Sequence, residues 1–433
     1  RSVAGRSGPS RRKLLTMGGG SLLGVAAAGA GAWAWWGPAG TGQAKGGPGT
    51  GPSPKASRKP KQDYLWQLQV SDPPSDLWPA AASIPFPIGD LVALITGAGL
   101  ATAHAADGAA SWGPTQIDNA WQVGTDGKDL YRVTQLDKYQ GHMGDDWPLI
   151  LETVDLATGK PKKRLPEMSE FNGVIFENQL LCVADQVIYL AVGQGKNDQD
   201  GFQHDQPWFL AAVDARTAKR LWSTPLPARP EKSERLHFLD ARVVADRLIL
   251  LQETAGGAVR ANARDRRTGR LLWDKPLPGI KPDAVRSMMT TDDQHLYLGL
   301  GALRALRLSD GGEAWNLSKA RPGSSFGPPA VKDGVVYAVQ KGRGVVGVDA
   351  GGGAVRWEEK GGGDAAKGDL TDRPVLGTKY LYSRSPSGLR AIDLASRATA
   401  RTYRTTGTRF VAHREAEVVI ALGGFFLAAF PLQ

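Results

Sequence analysis

One cysteine in 433 residues, Cys182, excludes an internal disulfide. It sits in QLLCVAD, a short apolar run, and reads as a buried small hydrophobe rather than a reactive thiol. Acidic residues are missing from residues 1–62, which hold ten Lys or Arg. The formal net charge of +10 therefore belongs to that segment, and the rest of the chain balances 43 basic against 43 acidic residues. A body without a basic excess gives no support to nucleic-acid binding, and no nucleic-acid partner is expected. Long helical periods are missing after residue 62. So are kinase signatures: no Gly-rich loop precedes a Lys strand, and there is no His-Arg-Asp or Asp-Phe-Gly segment.

The first 62 residues divide in three. Residues 1–15 form a basic segment ending in SRRKLL. Residues 16–36, TMGGGSLLGVAAAGAGAWAWW, carry no charge, and 21 residues in helix, at about 1.5 Å each, match a hydrocarbon core of about 30 Å. Paired arginines before a modest apolar stretch resemble a twin-arginine signal peptide, with Leu14 and Thr16 in place of its Phe and Lys. AWA at Ala32–Ala34 offers a cleavage site. The alternative is an uncleaved transmembrane anchor with Arg11, Arg12 and Lys13 inside the cell. Both place the remainder outside the cytoplasm, membrane-anchored or secreted. The first residue is Arg1, and Met17 lies inside the apolar segment, so an upstream start is expected. Residues 37–62, with seven Gly and five Pro, read as a flexible linker.

What fills residues 63–433 is a repeat. DRRTGRLLW ends at Trp273, DARTAKRLW at Trp222 and DAGGGAVRW at Trp357; HAADGAASW and RLSDGGEAW end at Trp112 and Trp315 with the Asp moved into an Asp-Gly turn. Two copies, from Asp155 and Asp393, put Lys163 and Arg401 where Trp would fall. Short apolar runs punctuated by Gly and Asp, such as VVYAVQ, GVVGVD and AVRW, are strand signals. Four strands per unit of about 40–50 residues make the blade of a β-propeller. Trp66 in DYLWQLQV precedes Trp112 by 46 residues, and VVIALGGFFLAAFPL (418–432) supplies strands without a Trp strand. Pairing 64–70 with 418–432 completes an eighth blade and closes the ring, removing an exposed sheet edge. The expected fold is all-β, an eight-bladed propeller, with seven blades if one weak unit merges with its neighbour. In each phrase the Asp and Gly make a turn and the Trp docks between blades. Trp66, Trp112, Trp222, Trp273, Trp315 and Trp357 are the expected structural tryptophans.

Phrases such as VDARTAKRLW and VVYAVQKGRGVVGVDAGGGAVRW resemble the repeat of pyrroloquinoline-quinone-type propellers, over nearly all of the chain from residue 62 onward. That family includes calcium- and quinone-dependent dehydrogenases, non-enzymatic scaffolds of envelope assembly, and sensor domains outside membrane-spanning serine/threonine kinases of actinobacteria. Its alcohol dehydrogenases commonly carry adjacent cysteines over the quinone, with a carboxylate base and calcium ligands at the ring centre. This chain has only Cys182, and no arrangement matches that set residue by residue. The resemblance is specific for the fold and not for the activity, and the unmatched set points to a non-catalytic propeller with neither catalytic residues nor quinone. Its partner is expected to be a protein or small-molecule ligand at the cell surface, with the membrane engaged through residues 16–36. The alternatives are the sensor half of a kinase whose catalytic half lies upstream, and a quinone-dependent dehydrogenase.

One binding feature stands out. Blades two and three carry insertions where the others have tight turns between second and third strands: DKYQGHMGDDWP (137–148) and GQGKNDQDGFQHDQPW (193–208). Such loops of adjacent blades share a face. His142, Asp145, Asp146 and Trp147 would then stand near Asp198, Asp200, His204, Asp205 and Trp208, an acidic, His- and Trp-bearing patch suited to a ligand or a cation such as calcium. The alternative is a pair of solvated loops. His237, His295 and His413 fall singly on strands and read as structural.

Overall fold

The computed structural model describes residues 63–70, 85–96, 98–115, 117, 120–134, 147–173, 175, 177–195, 206–227, 238–254, 257–280 and 289–433. The leader and linker lie outside this set. Among the described residues, no helix is long and apolar enough to cross a membrane.

Eight antiparallel sheets form the fold, one per repeat. Blade 1 comprises Phe86–Ile88, Leu91–Thr96, Gly99–His104 and Ala110–Thr115; blade 2 comprises Val123–Thr125, Leu130–Thr134, Pro148–Val154 and Pro161–Arg164. Blade 3 is Gln179–Ala184, Val187–Gly193, Trp208–Asp214 and Arg220–Pro225, and blade 4 is Phe238–Val244, Arg247–Glu253, Val259–Asp265 and Leu271–Leu277. Blades 5, 6 and 7 start at Thr290, Ala330 and Val375 and end at Asn316, Glu358 and Tyr403. Blade 8 takes three strands from Arg409–His413, Val418–Leu422 and Phe426–Pro431, and its fourth is Trp66–Gln69. The eighth blade and its closure are as expected, with Trp66 opposite Ala429 and Gln69 opposite Phe426. Blade 2 adds a fifth strand, Met168–Asn172, along the start of Pro148–Val154.

The first strand of each blade lies innermost. Those of blades 2 and 3, 3 and 4, 5 and 6, 6 and 7, 7 and 8, and 8 and 1 touch one another around the axis. Second and third strands are buried on both faces, which is why they read as continuous apolar runs: all six residues of Leu91–Thr96 and all five of Val418–Leu422 are buried. The outer strand is the wet one, as in the fully exposed Pro161–Arg164. The core divides into eight apolar clusters, each joining one adjacent pair of blades. The cluster of Trp66, Leu68, Val92, Leu94, Ile420 and Leu427 joins blade 8 to blade 1 and completes the circle.

The repeat phrase explains how the blades lock. Each outer-strand Trp donates its indole Nε1–H to a carbonyl in the turn before the outer strand of the next blade. Trp66 reaches Ala105 at 2.9 Å, Trp112 reaches Leu156 at 2.6 Å and Trp222 reaches Arg266 at 2.9 Å. Trp273, Trp315 and Trp357 reach Leu308, Ala350 and Leu394 at 2.7, 2.8 and 2.9 Å. In five of the six the accepting residue also donates its own N–H to the turn between the first two strands of its blade, as Arg266 does to Asp246 O at 3.0 Å. One residue thus ties three segments together. For all of these but Trp357 the ring lies over a glycine of the receiving turn. A Cβ on Gly108, Gly159, Gly269, Gly311 or Gly353 would fall 2.4–2.7 Å from it, and φ there is +68° to +75°. Only glycine meets both demands without cost.

The two degenerate copies also have physical reasons. Lys163 performs the Trp's task with its ammonium, donating to Arg216 O at 2.8 Å. The receiving turn there carries Ala218, at φ +57°, in the glycine's place. Arg401 faces blade 8, whose outer strand comes from the other end of the sequence, so no turn joins its third and fourth strands. Its guanidinium lies over Tyr403, 4.5 Å from the ring centre, and 3.6 Å from Asp63.

Candidate binding face

Strand polarity gives the ring two faces. Turns between first and second strands, and between third and outer strands, fall on one, here the turn face. The starts of the innermost strands and the second-to-third-strand loops fall on the other, the loop face, and both long insertions belong to it.

Of the nine candidate residues in those insertions, His142, Asp145, Asp146, Asp198, Asp200, His204 and Asp205 lie outside the described residues. Trp147 and Trp208 are described, and both are buried at the loop stems. Trp208 opens the third strand of blade 3 and packs with Ile175, Tyr189 and Trp222 in the cluster joining blades 3 and 4. The carbonyl of Trp147 accepts from Gly173 N at 2.7 Å. These rings anchor the insertions. The stem of the second insertion is pinned further: Asn172 Nδ2 donates to Gly195 O at 2.6 Å and Gln194 N to Pro207 O at 3.0 Å.

Sequence reading missed a second feature, a ring of charge where the innermost strands begin. Asp240 of blade 4 accepts the N–H of Ala241 at 2.9 Å and of Met289 at 3.0 Å, the latter at the start of blade 5. Asp372, just before blade 7, accepts the N–H of Arg373 at 3.0 Å and of Phe410 of blade 8 at 2.9 Å. Arg373 reaches past blade 6 to Thr290 Oγ1 at 3.2 Å and Met289 O at 3.4 Å. Burial pushes the Asp372 carboxyl up to about 6, against the pull of Arg409. Burial raises Asp240 too, and lowers Arg373, beside Arg242. Asp240 and Arg373 stand 133 positions apart in the chain. Only superposing the repeat units brings them to one place.

The other titratable candidates are structural. His413 is buried, its Nδ1 accepting from Ala416 N at 3.2 Å and its Nε2 donating to Leu91 O at 3.2 Å across the closure. His295 stands 3.7 Å from Asp292 and 3.4 Å from the Tyr297 hydroxyl. His237 lies outside the described residues. Cys182 is partly rather than fully buried, and desolvation pushes its thiol up to about 12, so it is protonated at neutral pH.

The seat that a quinone and its calcium would need can be compared with this arrangement. The two axial carboxylates are engaged with backbone N–H groups. Among the described residues, no three His, Cys, Asp or Glu side chains come together in a way that could hold a metal ion. The described residues do not fit that pair.

Fold and locking pattern define an eight-bladed β-propeller whose blades are joined by Trp docking. The sequence model of the family described as outer membrane protein assembly factor BamB matches residues 208–425, half of the chain. The chain belongs to this PQQ-like, BamB-type repeat family. No curated protein matches its sequence. The computationally designed Ika8 protein superposes with a TM-score of 0.51 at 11% identity, covering 81% of this chain and 96% of that one. BamB from Moraxella catarrhalis gives 0.47 at 13%, with 84% and 97% covered. A europium-containing methanol dehydrogenase gives 0.46 at 11%, with 80% and 82%. At such identities the likeness concerns fold alone.

Proposed function

We propose that the chain is a non-catalytic, extracytoplasmic binding or scaffold propeller, held at or exported across a membrane by residues 1–36, that engages a protein partner with its loop face. The observation that carries the reading is the state of the two axial carboxylates. Asp240 and Asp372 each bind two backbone N–H groups and stitch blade 4 to blade 5 and blade 7 to blade 8. Carboxylates used in this way fasten neighbouring blades to one another, which is what a rigid scaffold requires of them. Membership of a family named for an outer-membrane assembly factor supports a scaffold role. The insertions of blades 2 and 3 supply contact surface of the kind that long loops on a rigid frame provide.

The test has two arms. Pull-down with the full chain from its own cells is expected to return one stoichiometric protein partner. Incubation with pyrroloquinoline quinone, calcium and a dye acceptor is expected to give no turnover, and turnover would replace this reading with that of a dehydrogenase.

A further inference from the structure

The balanced charge of the body conceals a segregation that only the fold displays. On the turn face, the turns between the first two strands of blades 2, 3 and 4 carry Lys128 and Arg247 against Asp126, Asp129, Asp185 and Asp246. The turns into the outer strands, with the starts of those strands, are residues 155–164, 214–220 and 265–270, and they hold ten Lys or Arg against three Asp. Each Asp is engaged within its own turn: Asp155 accepts from Ala157 N, Asp214 from Arg216 N and Asp265 from Arg267 N. The three turns are neighbours, as the bonds from Lys163 to Arg216 O and from Trp222 to Arg266 O require. Lys160, Lys163, Lys219, Arg267 and Arg270 are exposed and have no carboxylate within ion-pair distance among the described residues. The matching turn of blade 5, 307–313, holds one Arg against an Asp and a Glu, so the excess is confined to one sector.

Two further observations indicate what this sector meets. Leu221 and Leu271, beside Arg220 and Arg270 on the outer strands of blades 3 and 4, are 51% and 43% exposed, and among the described residues they rank with the few large apolar side chains so exposed. Basic side chains interleaved with exposed leucines suit a headgroup layer, where the leucines enter the acyl boundary and the cations stay at the phosphates. The second is where the N-terminal segment joins the ring. Trp66 pairs with Ala429 near the end of the third strand of blade 8, and Asp63 receives Arg401 as a turn would receive a Trp. Residues 37–62 therefore join the ring on the turn face, the same face as the basic sector.

We propose that the turn face of blades 2–4 is a docking surface for an anionic lipid membrane, so that the propeller lies turn face down and its loop face is presented outward. The inference rests on the proposed membrane location, but its test is separable from that reading. The full chain is mixed with vesicles of phosphatidylglycerol and phosphatidylcholine in equal parts, and amide exchange is read residue by residue. Vesicles are expected to slow exchange in the outer strands and turns of blades 3 and 4, less so at high salt. The double variant Lys219→Glu with Arg267→Glu is expected to lose that protection, since each basic side chain near an anionic surface contributes about a fivefold factor in affinity. Lys341→Glu with Lys367→Glu, on the loop face, is expected to retain it. Protection confined to residues 1–62 would overturn the proposal while leaving the membrane reading intact. Equal protection by duplex DNA or polyglutamate would also overturn it, assigning the sector to polyanions in general.

Discussion

Trp66 donates its indole N–H to the carbonyl of Ala105 at 2.9 Å, and in doing so joins the last blade to the first. The bond is the same one that Trp112, Trp222, Trp273, Trp315 and Trp357 make, yet it alone fastens a strand that no turn connects to its blade. Truncating Trp66 removes a buried ring, which costs about 3–5 kcal/mol. Trp66→Phe keeps most of the ring and leaves Ala105 O without its donor, about 1–3 kcal/mol. Chemical denaturation should rank wild type above Trp66→Phe above Trp66→Ala. Limited proteolysis of Trp66→Ala should cut first near residues 63–70, because the strand Trp66–Gln69 is held by one neighbour only.

The pair Lys163 and Ala218 behaves as a matched substitution of the Trp-over-glycine contact. An indole at 163 would meet the Cβ of Ala218, where the equivalent glycines leave no room for a Cβ. Lys163→Trp alone should therefore destabilise by about 1–3 kcal/mol through overpacking. With Ala218→Gly added, the ring can dock and bury apolar surface. The double variant should be more stable than the Lys163→Trp single variant, and a double-mutant cycle in denaturant should return a coupling of about 1 kcal/mol or more. Blade 7 bounds the rule, since its turn receives Trp357 with Arg397, at φ +65°, in the glycine position.

That contrast shows what the sequence could and could not convey. The Asp, Gly and Trp of each phrase are near neighbours in the chain and act through one local geometry, so their recurrence exposed the blades, their number and the closure at Trp66. Lys163 read as a degenerate copy because its partner, Arg216 O, is a backbone atom of another blade. Arg401 read the same way because the missing turn of blade 8 is a consequence of ring closure. The axial residues Asp240 and Asp372 carry no local pattern at all. The basic sector vanished in a net charge of zero, because a sum over residues discards where the turns place them. The strand Met168–Asn172 lacked its own turn signal and was not expected.

Acid should stabilise the protein before it harms it. Asp372 is held near 6 in the folded state, well above the ordinary 3.8, because burial penalises its charged form. Its charged neighbours are Arg409 and Arg373, with Asp240 and Arg242 on blade 4 beyond Arg373. A raised carboxyl binds its proton more tightly folded than unfolded, so stability falls as pH rises from about 4 to about 6. Asp240 is raised too and adds the same sign. Asp155, Asp214, Asp265 and Asp393 are held below 3.8 with turn hydrogen bonds to their carboxylates, and their contribution is lost only as pH falls below about 4. Thermal melts should thus be highest near pH 5 rather than pH 7. Asp372→Asn, which can still accept from Phe410 N, should flatten the decline between pH 5 and 7. A wild-type melt that rises steadily from pH 5 to pH 7 would contradict the assignment.

Partner binding and stability should separate at the blade 3 insertion. Its stem closes below the loop: Gln194 N meets Pro207 O at 3.0 Å, Asn172 holds Gly195 O at 2.6 Å, and Trp208 is 2% exposed in the core. Residues 196–205, with Asp198, Asp200, His204 and Asp205, can therefore be replaced by Gly-Gly without disturbing a described contact. Loop length enters folding free energy only logarithmically, about 0.6 kcal/mol per doubling, so the melting temperature should hold or rise slightly. Partner capture should fall sharply if the loop face carries the interaction. Calcium supplies an independent reading, because Asp198→Ala with Asp200→Ala should abolish any calcium-dependent rise in melting temperature if these loops hold a cation. Capture that survives the replacement would move the contact away from this insertion, to the innermost-strand starts near Arg242, Asp372 and Arg409 or to the loop of blade 2. Replacing 137–145 in the same manner would then decide between those two.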